Sequence, residues 1–168
     1  MQERSDEVTL QGTPITLVGP GLQPGELAPM FTARSGLEDI CSDRWAGRPR
    51  LISSVPSLDT PVCAKQATRF NEVVSDLNVA VIVVSQDLPF AQSRFREVNG
   101  IKNVTFLSDY KDNDFGYKYG VYIKEHGLDH RAVFVIDAED RIQYVEYVPE
   151  LTKHPNYAAA LEAVKKLL

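Results

Sequence analysis

Apolar positions recur along this chain with two different periods. Continuous or alternating apolar runs predict strands at Val8–Leu10, Ile15–Val18, Leu51–Val55, Val79–Val84, Val104–Leu107, Ala132–Ile136 and Ile142–Val148. The run at Val79–Val84 is almost wholly β-branched, as expected of a strand covered on both faces. In the last run, Ile142, Tyr144, Glu146 and Val148 are expected to point one way, and Gln143, Val145 and Tyr147 the other. The turn residues Gln11-Gly12-Thr13-Pro14 predict an N-terminal hairpin, and Asp137 to Arg141 a second hairpin with a longer loop. A Pro/Gly-rich connection runs from Gly19 to Pro29.

The other period is helical. Cys63, Ala67, Phe70, Val74 and Leu77 are spaced to fall on one helix face. That puts Cys63 on the buried side, at the bottom of a pocket. A second helix is expected to start near Asp87-Leu88-Pro89, with Asp87 as its cap and Pro89 in the first turn. A last helix is expected from about Asn156 to Lys166, with Leu161, Val164 and Leu168 on its apolar side. Periodicity alone therefore gives an α/β protein, one sheet covered by helices.

The chain has 168 residues, enough for one domain with a proper core. A net charge of -5 argues against nucleic acid as a partner, because phosphate binding needs clustered Lys and Arg. No apolar run approaches the roughly 20 residues that span a membrane. Met1 to Thr9 lacks a basic region followed by an apolar stretch, so no secretory signal is expected. The two cysteines, Cys41 and Cys63, leave no disulfide scaffold and no zinc site built on cysteine pairs. The expected setting is a reducing cytoplasm. His126 and His130 are four apart, but Gly127 interrupts the spacing; with His154 they read as solvated loop residues rather than metal ligands. No cofactor is expected.

The chemistry concentrates in Pro56-Ser57-Leu58-Asp59-Thr60-Pro61-Val62-Cys63. These residues follow a strand and open a helix. A cysteine in a first helical turn sits where unpaired N–H groups and the helix dipole favour negative charge, and the thiolate is the reactive form. Thr60 can offer a hydroxyl to the same point, or cap the helix. Cys41 lies in a polar stretch ahead of Trp45 and reads as a bystander or as a second redox cysteine.

Pro56, Thr60 and Cys63 match the Pro-x-x-x-Thr-x-x-Cys pattern of the peroxiredoxins, and the longer string resembles their bacterial thiol peroxidase branch. Asp87-Leu88-Pro89-Phe90-Ala91-Gln92-Ser93-Arg94-Phe95 is similar to that branch too, as are the N-terminal hairpin and Arg131 before Val133–Asp137. The resemblance implies a thioredoxin-like fold over residues 1–168, a central mixed sheet flanked by helices, with residues 1–20 as a hairpin extension. It implies reduction of hydrogen peroxide and alkyl hydroperoxides by Cys63, with Thr60, Arg131 and the N–H groups of Val62 and Cys63 stabilising the departing oxygen. Pro56 would shield the site from water. Cys63 would become a sulfenic acid, restored by thioredoxin or another thiol, in a homodimer. Phe90, Phe95, Tyr117 and Tyr122 would be core or interface aromatics, some of them lining an apolar mouth. The branch usually carries a resolving cysteine after Ser-Arg-Phe, and this chain has Arg96 there. Recycling would then run through an external thiol or through Cys41, within the chain or across a dimer. The competing reading is a redox sensor or binding protein that oxidises once without turnover.

Overall fold

The computed structural model describes residues 1–74 and 76–168. A seven-stranded mixed sheet carries the rest of the molecule. In spatial order its strands are β11 (Ile142–Tyr147), β10 (Ala132–Ile136), β5 (Arg50–Ser54), β6 (Ala80–Ser85), β7 (Val104–Ser108), β3 (Thr32–Ser35) and β4 (Glu38–Cys41). β5, β6 and β7 run parallel, and β10 lies antiparallel to β5. A smaller sheet joins β1 (Glu3–Leu10) and β2 (Thr13–Val18) to β8 (Tyr122–Ile123) and β9 (Leu128–Asp129). The N-terminal hairpin therefore belongs to a second sheet, where the pattern predicts one. Its turn residues Gln11 and Gly12 have φ of 51° and 82°, the left-handed pair that matches strand twist.

Residues on alternate positions of β5, β6 and β10 build two cores. Leu51, Val81, Val83, Val133 and Val135 face α1 (Pro61–Val74) and α4 (Tyr157–Lys165), packing against Cys63, Ala67, Phe70 and Val164. Ile52, Ile82, Val84, Phe134 and Ile136 face Phe31, Trp45, Phe115 and Tyr119. Burial on both faces explains why these strands read as unbroken apolar runs. Helix α2 (Pro89–Asn99) covers β7, with Phe95 edge-on to Phe106 at 5.8 Å between ring centres. Asn156 caps α4, accepting from the Ala159 N–H at 3.0 Å.

Four expectations are corrected. The alternation read for β11 breaks at Gln143: Ile136 pairs with Ile142 but Val135 with Tyr144, so Ile142 joins Val145 and Tyr147 in one core while Tyr144 serves the other. Leu77 falls beyond the end of α1 yet packs against the same core as Cys63, Ala67, Phe70 and Val74, and Leu168 is exposed rather than part of the apolar side of α4. Asp87 does not cap α2, whose N-cap is Leu88. Strands β3 and β4 and the short helix α3 (Asp114–Lys118) have no counterpart in the apolar pattern, because their segments are short and largely polar.

Gln86 and Asp109, just past the ends of β6 and β7, meet Asp129, the last residue of β9. Gln86 donates to Asp109 Oδ2 at 3.4 Å, to Asp129 Oδ1 at 3.3 Å and to Asn113 Oδ1 at 2.9 Å. The Phe115 and Gly116 N–H groups donate to Asp109 at 3.0 and 2.9 Å. Burial, with a smaller push from Asp114, raises Asp109 to about 6. Burial and the Asp109 charge raise Asp129 well above the carboxylate range. Both carboxyls are raised on folding, so the stability held by the protonated pair is full at acidic pH, and the share that Asp109 holds is lost as pH rises through about 6. Asp129→Asn supplies a permanent N–H in place of the proton. Its melting temperature is expected to exceed that of the parent at pH 8, by on the order of 2 kcal/mol in stability, with little difference at pH 4. Thermal melts of both proteins across that range check this.

Candidate active site

The site forms where β5 passes into α1. Val55 still bonds to β6, its N–H donating to Val84 O at 3.0 Å, and the buried Pro56 follows. Pro56 lacks an N–H and cannot extend the ladder. Ser57 to Thr60 then turn the chain, with Thr60 N–H donating to Ser57 O at 3.2 Å. Pro61 opens α1, a position where its missing N–H costs nothing. Cys63 thereby lands in the first turn, and the N–H groups of Val62 and Cys63 have no intrahelical acceptor.

Cys63 is fully buried. It does not sit at the bottom of an open pocket: a cavity of about 580 Å³ lies beside the loop, lined by Leu58, Asp59, Asp87, Phe90, Arg94 and others, but not by Cys63. One polar side chain reaches the sulfur. Arg131 Nη2 donates to Cys63 Sγ at 3.3 Å. The guanidinium is 1% exposed and is pinned by two further bonds, Nη1 to Gln66 Oε1 at 2.8 Å and Nε to Leu151 O at 2.9 Å. Gln66, itself fully buried, is held by donating to Ser53 Oγ on β5 at 2.6 Å. Among the described residues no carboxylate pairs with Arg131. The sulfur is thus the place where a counter-charge can form.

Thr60 is exposed and its hydroxyl donates to Ser57 O at 2.9 Å. Its carbonyl accepts the Ala64 N–H at 3.0 Å, and among the described residues its hydroxyl has Ser57 O as its bonded partner. Its one proton is used, so its lone pairs remain for a donor approaching the sulfur.

The motif groups Pro56, Thr60 and Cys63, the resemblance adds Arg131, and the structure brings Arg131 to the corner where the other three lie. Gln66 escapes a sequence reading because a helical glutamine looks solvated. Its spacing, three after Cys63 and four before Phe70, was the available signal. His130 is corrected from solvated to fully buried, with Nε2 bonded to Val148 O at 2.7 Å. Burial pushes it down to about 4, so it adds no charge beside Arg131 at neutral pH. His126 and His154 are exposed. Phe90 is 66% exposed, Phe95 half-buried, and the rings of Tyr117 and Tyr122 meet at a tilt of 56° with 4.9 Å between centres, Tyr122 lying beside Asp109 and Asp129.

Cys41 ends β4 at the sheet edge, half-buried. Four strand steps separate β4 from β5, roughly 19 Å at the usual spacing. A disulfide needs Cα atoms within about 7 Å. Arg96, in the usual resolving position, bonds to Val104 O and lies over the Phe106 ring.

A model of the Redoxin family matches residues 23–161. The thiol peroxidase of Listeria innocua is 47% identical over 162 residues, which span 95% of this chain and 98% of that protein. The thiol peroxidase of Bacillus subtilis is 46% identical over 164 residues, 96% of this chain and 98% of that protein. The crystal structure of a peroxiredoxin-like protein from Aquifex aeolicus superposes with a TM-score of 0.90 at 43% identity, covering 98% of this chain and 99% of that one.

Proposed function

This chain belongs to the Redoxin family and is a peroxiredoxin-type thiol peroxidase, and from that footing we propose that Cys63 is its peroxidatic nucleophile. The observation that carries this is the contact between the sulfur and a buried guanidinium that has no carboxylate partner. The Cys63 thiolate attacks one peroxide oxygen. An S–O bond forms, the O–O bond breaks, and sulfur gives up two electrons. The departing oxygen leaves as alcohol or water after taking a proton. Arg131 and the first-turn N–H groups stabilise the charge that grows on that oxygen. Thr60 turns its lone pairs to the peroxide O–H. Pro56 closes the floor of the site and keeps water out, which strengthens each of these interactions.

Recycling uses an external thiol, thioredoxin or a smaller one, because Arg96 cannot resolve and Cys41 of the same chain stands some four strands away. That thiol attacks the sulfenic acid, releases water and forms a mixed disulfide, which a second thiol reduces. A homodimer in the cytoplasm is the assembly and setting that fit the family.

The test is the intact mass of reduced protein after one equivalent of hydrogen peroxide, without reductant. The expected result is a gain of oxygen on Cys63. Loss of two hydrogens, or a disulfide-linked dimer, would assign resolution to Cys41. Oxidation that never turns over when thioredoxin or a small thiol is supplied would favour a sensor.

A further inference from the structure

We propose that Asp87 is a positioning residue for peroxide reduction, acting on Thr60 through Ser57; this rests on the reading that Cys63 and Thr60 meet the peroxide. Asp87 lies just past β6, and its carboxylate is spent on the loop that carries the reacting groups. Oδ1 accepts from Ser57 Oγ at 2.7 Å, and Oδ2 accepts from Leu58 N–H at 2.8 Å and from Ser85 Oγ at 2.7 Å. Ser85 also accepts from Gln92 Nε2 at 3.1 Å, and Gln92, buried within α2, donates to Leu107 O at 2.8 Å. The carboxylate is therefore anchored to β6, α2 and β7, and it holds a loop whose other end is the Cys63 helix.

The direction of each proton follows from counting donors. Ser57 has one hydroxyl proton, and Asp87 takes it. That leaves its lone pairs for the Asp59 N–H, which donates at 3.1 Å. The Ser57 carbonyl, fixed by this turn, accepts both the N–H and the O–H of Thr60, at 3.2 and 2.9 Å. Thr60 has one hydroxyl proton too, and once it is given to Ser57, only lone pairs face outward. A hydroperoxide offers an O–H. Asp87 thus holds the Ser57 carbonyl where it takes the Thr60 proton, which leaves Thr60 as an acceptor before substrate arrives, at a distance of two hydrogen bonds and without touching the peroxide.

An asparagine at position 87 cannot satisfy the same three donors. The Leu58 N–H cannot turn away, so the amide oxygen must face it, which aims the Nδ2 donor at Ser57. Ser57 Oγ must then accept from Nδ2 as well as from the Asp59 N–H, and its own proton, left without the carboxylate, must find another acceptor, which disturbs the turn that fixes its carbonyl.

The experiment uses a Cys41→Ser background, so that Cys63 is the one thiol. Two rates are measured on the same sulfur: oxidation by hydrogen peroxide, and alkylation by iodoacetamide, which needs the thiolate but no acceptor for a peroxide proton. Asp87→Asn is expected to slow oxidation roughly 10- to 100-fold while alkylation stays near the parent rate. In a Thr60→Val background, the same change is expected to add little further loss. Parallel loss in both rates, or losses that multiply in the double variant, would overturn the proposal. Should Asp87→Asn not fold, Ser57→Ala breaks the relay from its other end and carries the same expectation. A parent protein that peroxide does not oxidise would refute the peroxidase reading itself. A fast parent with an unchanged rate ratio in the variants would refute the role of Asp87 alone.

Discussion

Cys63→Ser is expected to reduce peroxide consumption to the uncatalysed background while leaving the fold intact. Removing the attacking atom of a covalent mechanism costs on the order of 10⁶ in rate where it has been measured in a hydrolase. Here nothing else can replace it. A serine hydroxyl needs a base to become a nucleophile, and the group touching this position is a guanidinium, which holds its protons. The fold has less to lose. Serine is slightly smaller than cysteine, and its oxygen can accept from Arg131 in place of the sulfur. Peroxide consumption with thioredoxin and its reductase, followed beside far-UV circular dichroism, measures both quantities. Full residual turnover would remove Cys63 from the mechanism.

Arg131→Leu is expected to separate activity from stability. The rate of oxidation by peroxide should fall by about 10² to 10³, the usual cost of removing one charged or polar donor from a developing oxyanion. Stability should change by no more than about 2 kcal/mol, a few degrees in melting temperature. Two terms oppose each other. Taking away a buried cation that lacks a carboxylate relieves a desolvation cost of several kcal/mol. Stranding the two acceptors it serves, Leu151 O and Gln66 Oε1, costs about 1–3 kcal/mol each. Arg131→Lys keeps a charge but has no planar fork to reach sulfur, glutamine and carbonyl together, so its rate is expected between those of the parent and the leucine variant. Single-turnover oxidation by peroxide and a thermal melt suffice; an unchanged oxidation rate in the leucine variant would dismiss the guanidinium from catalysis.

The reacting corner was legible because its signals are local. The spacing of Cys63, Ala67, Phe70 and Val74 gives the buried face of α1, and Pro61 marks where that helix starts. What supports the corner was not legible, since it depends on contacts across the fold. Gln66 turns inward to join Arg131 to Ser53, and Leu151 lends a carbonyl from beyond β11. Asp87 shows the competition most clearly. Local rules make it a helix cap, but three donors brought by tertiary structure claim its carboxylate instead. The same holds for β11, whose alternation is sound on paper until the bulge at Gln143 moves Ile142 to the opposite core. Short polar segments such as Thr32–Ser35 become strands because partners claim them, β4 along their length and β7 at Arg34 opposite Ser108.

On the reaction proposed for Cys63, the buried Arg131 guanidinium also ties the chemistry of the sulfur to the mechanics of its helix. While Cys63 is a thiolate, Arg131 has a counter-ion. A protonated sulfenic acid carries no charge, so each successful encounter with peroxide leaves an uncompensated cation in the core, at a cost of several kcal/mol. That is a large share of the roughly 5–15 kcal/mol that holds a whole domain together. The opening that gives solvent back to Arg131 with the least disruption is the fraying of the first turn of α1, which rests on Thr60 and Pro61 at the surface. The same opening brings the oxidised sulfur outward to meet a thiol. On that proposed reaction, product formation would release its own enclosure, and re-forming the thiolate would close it again.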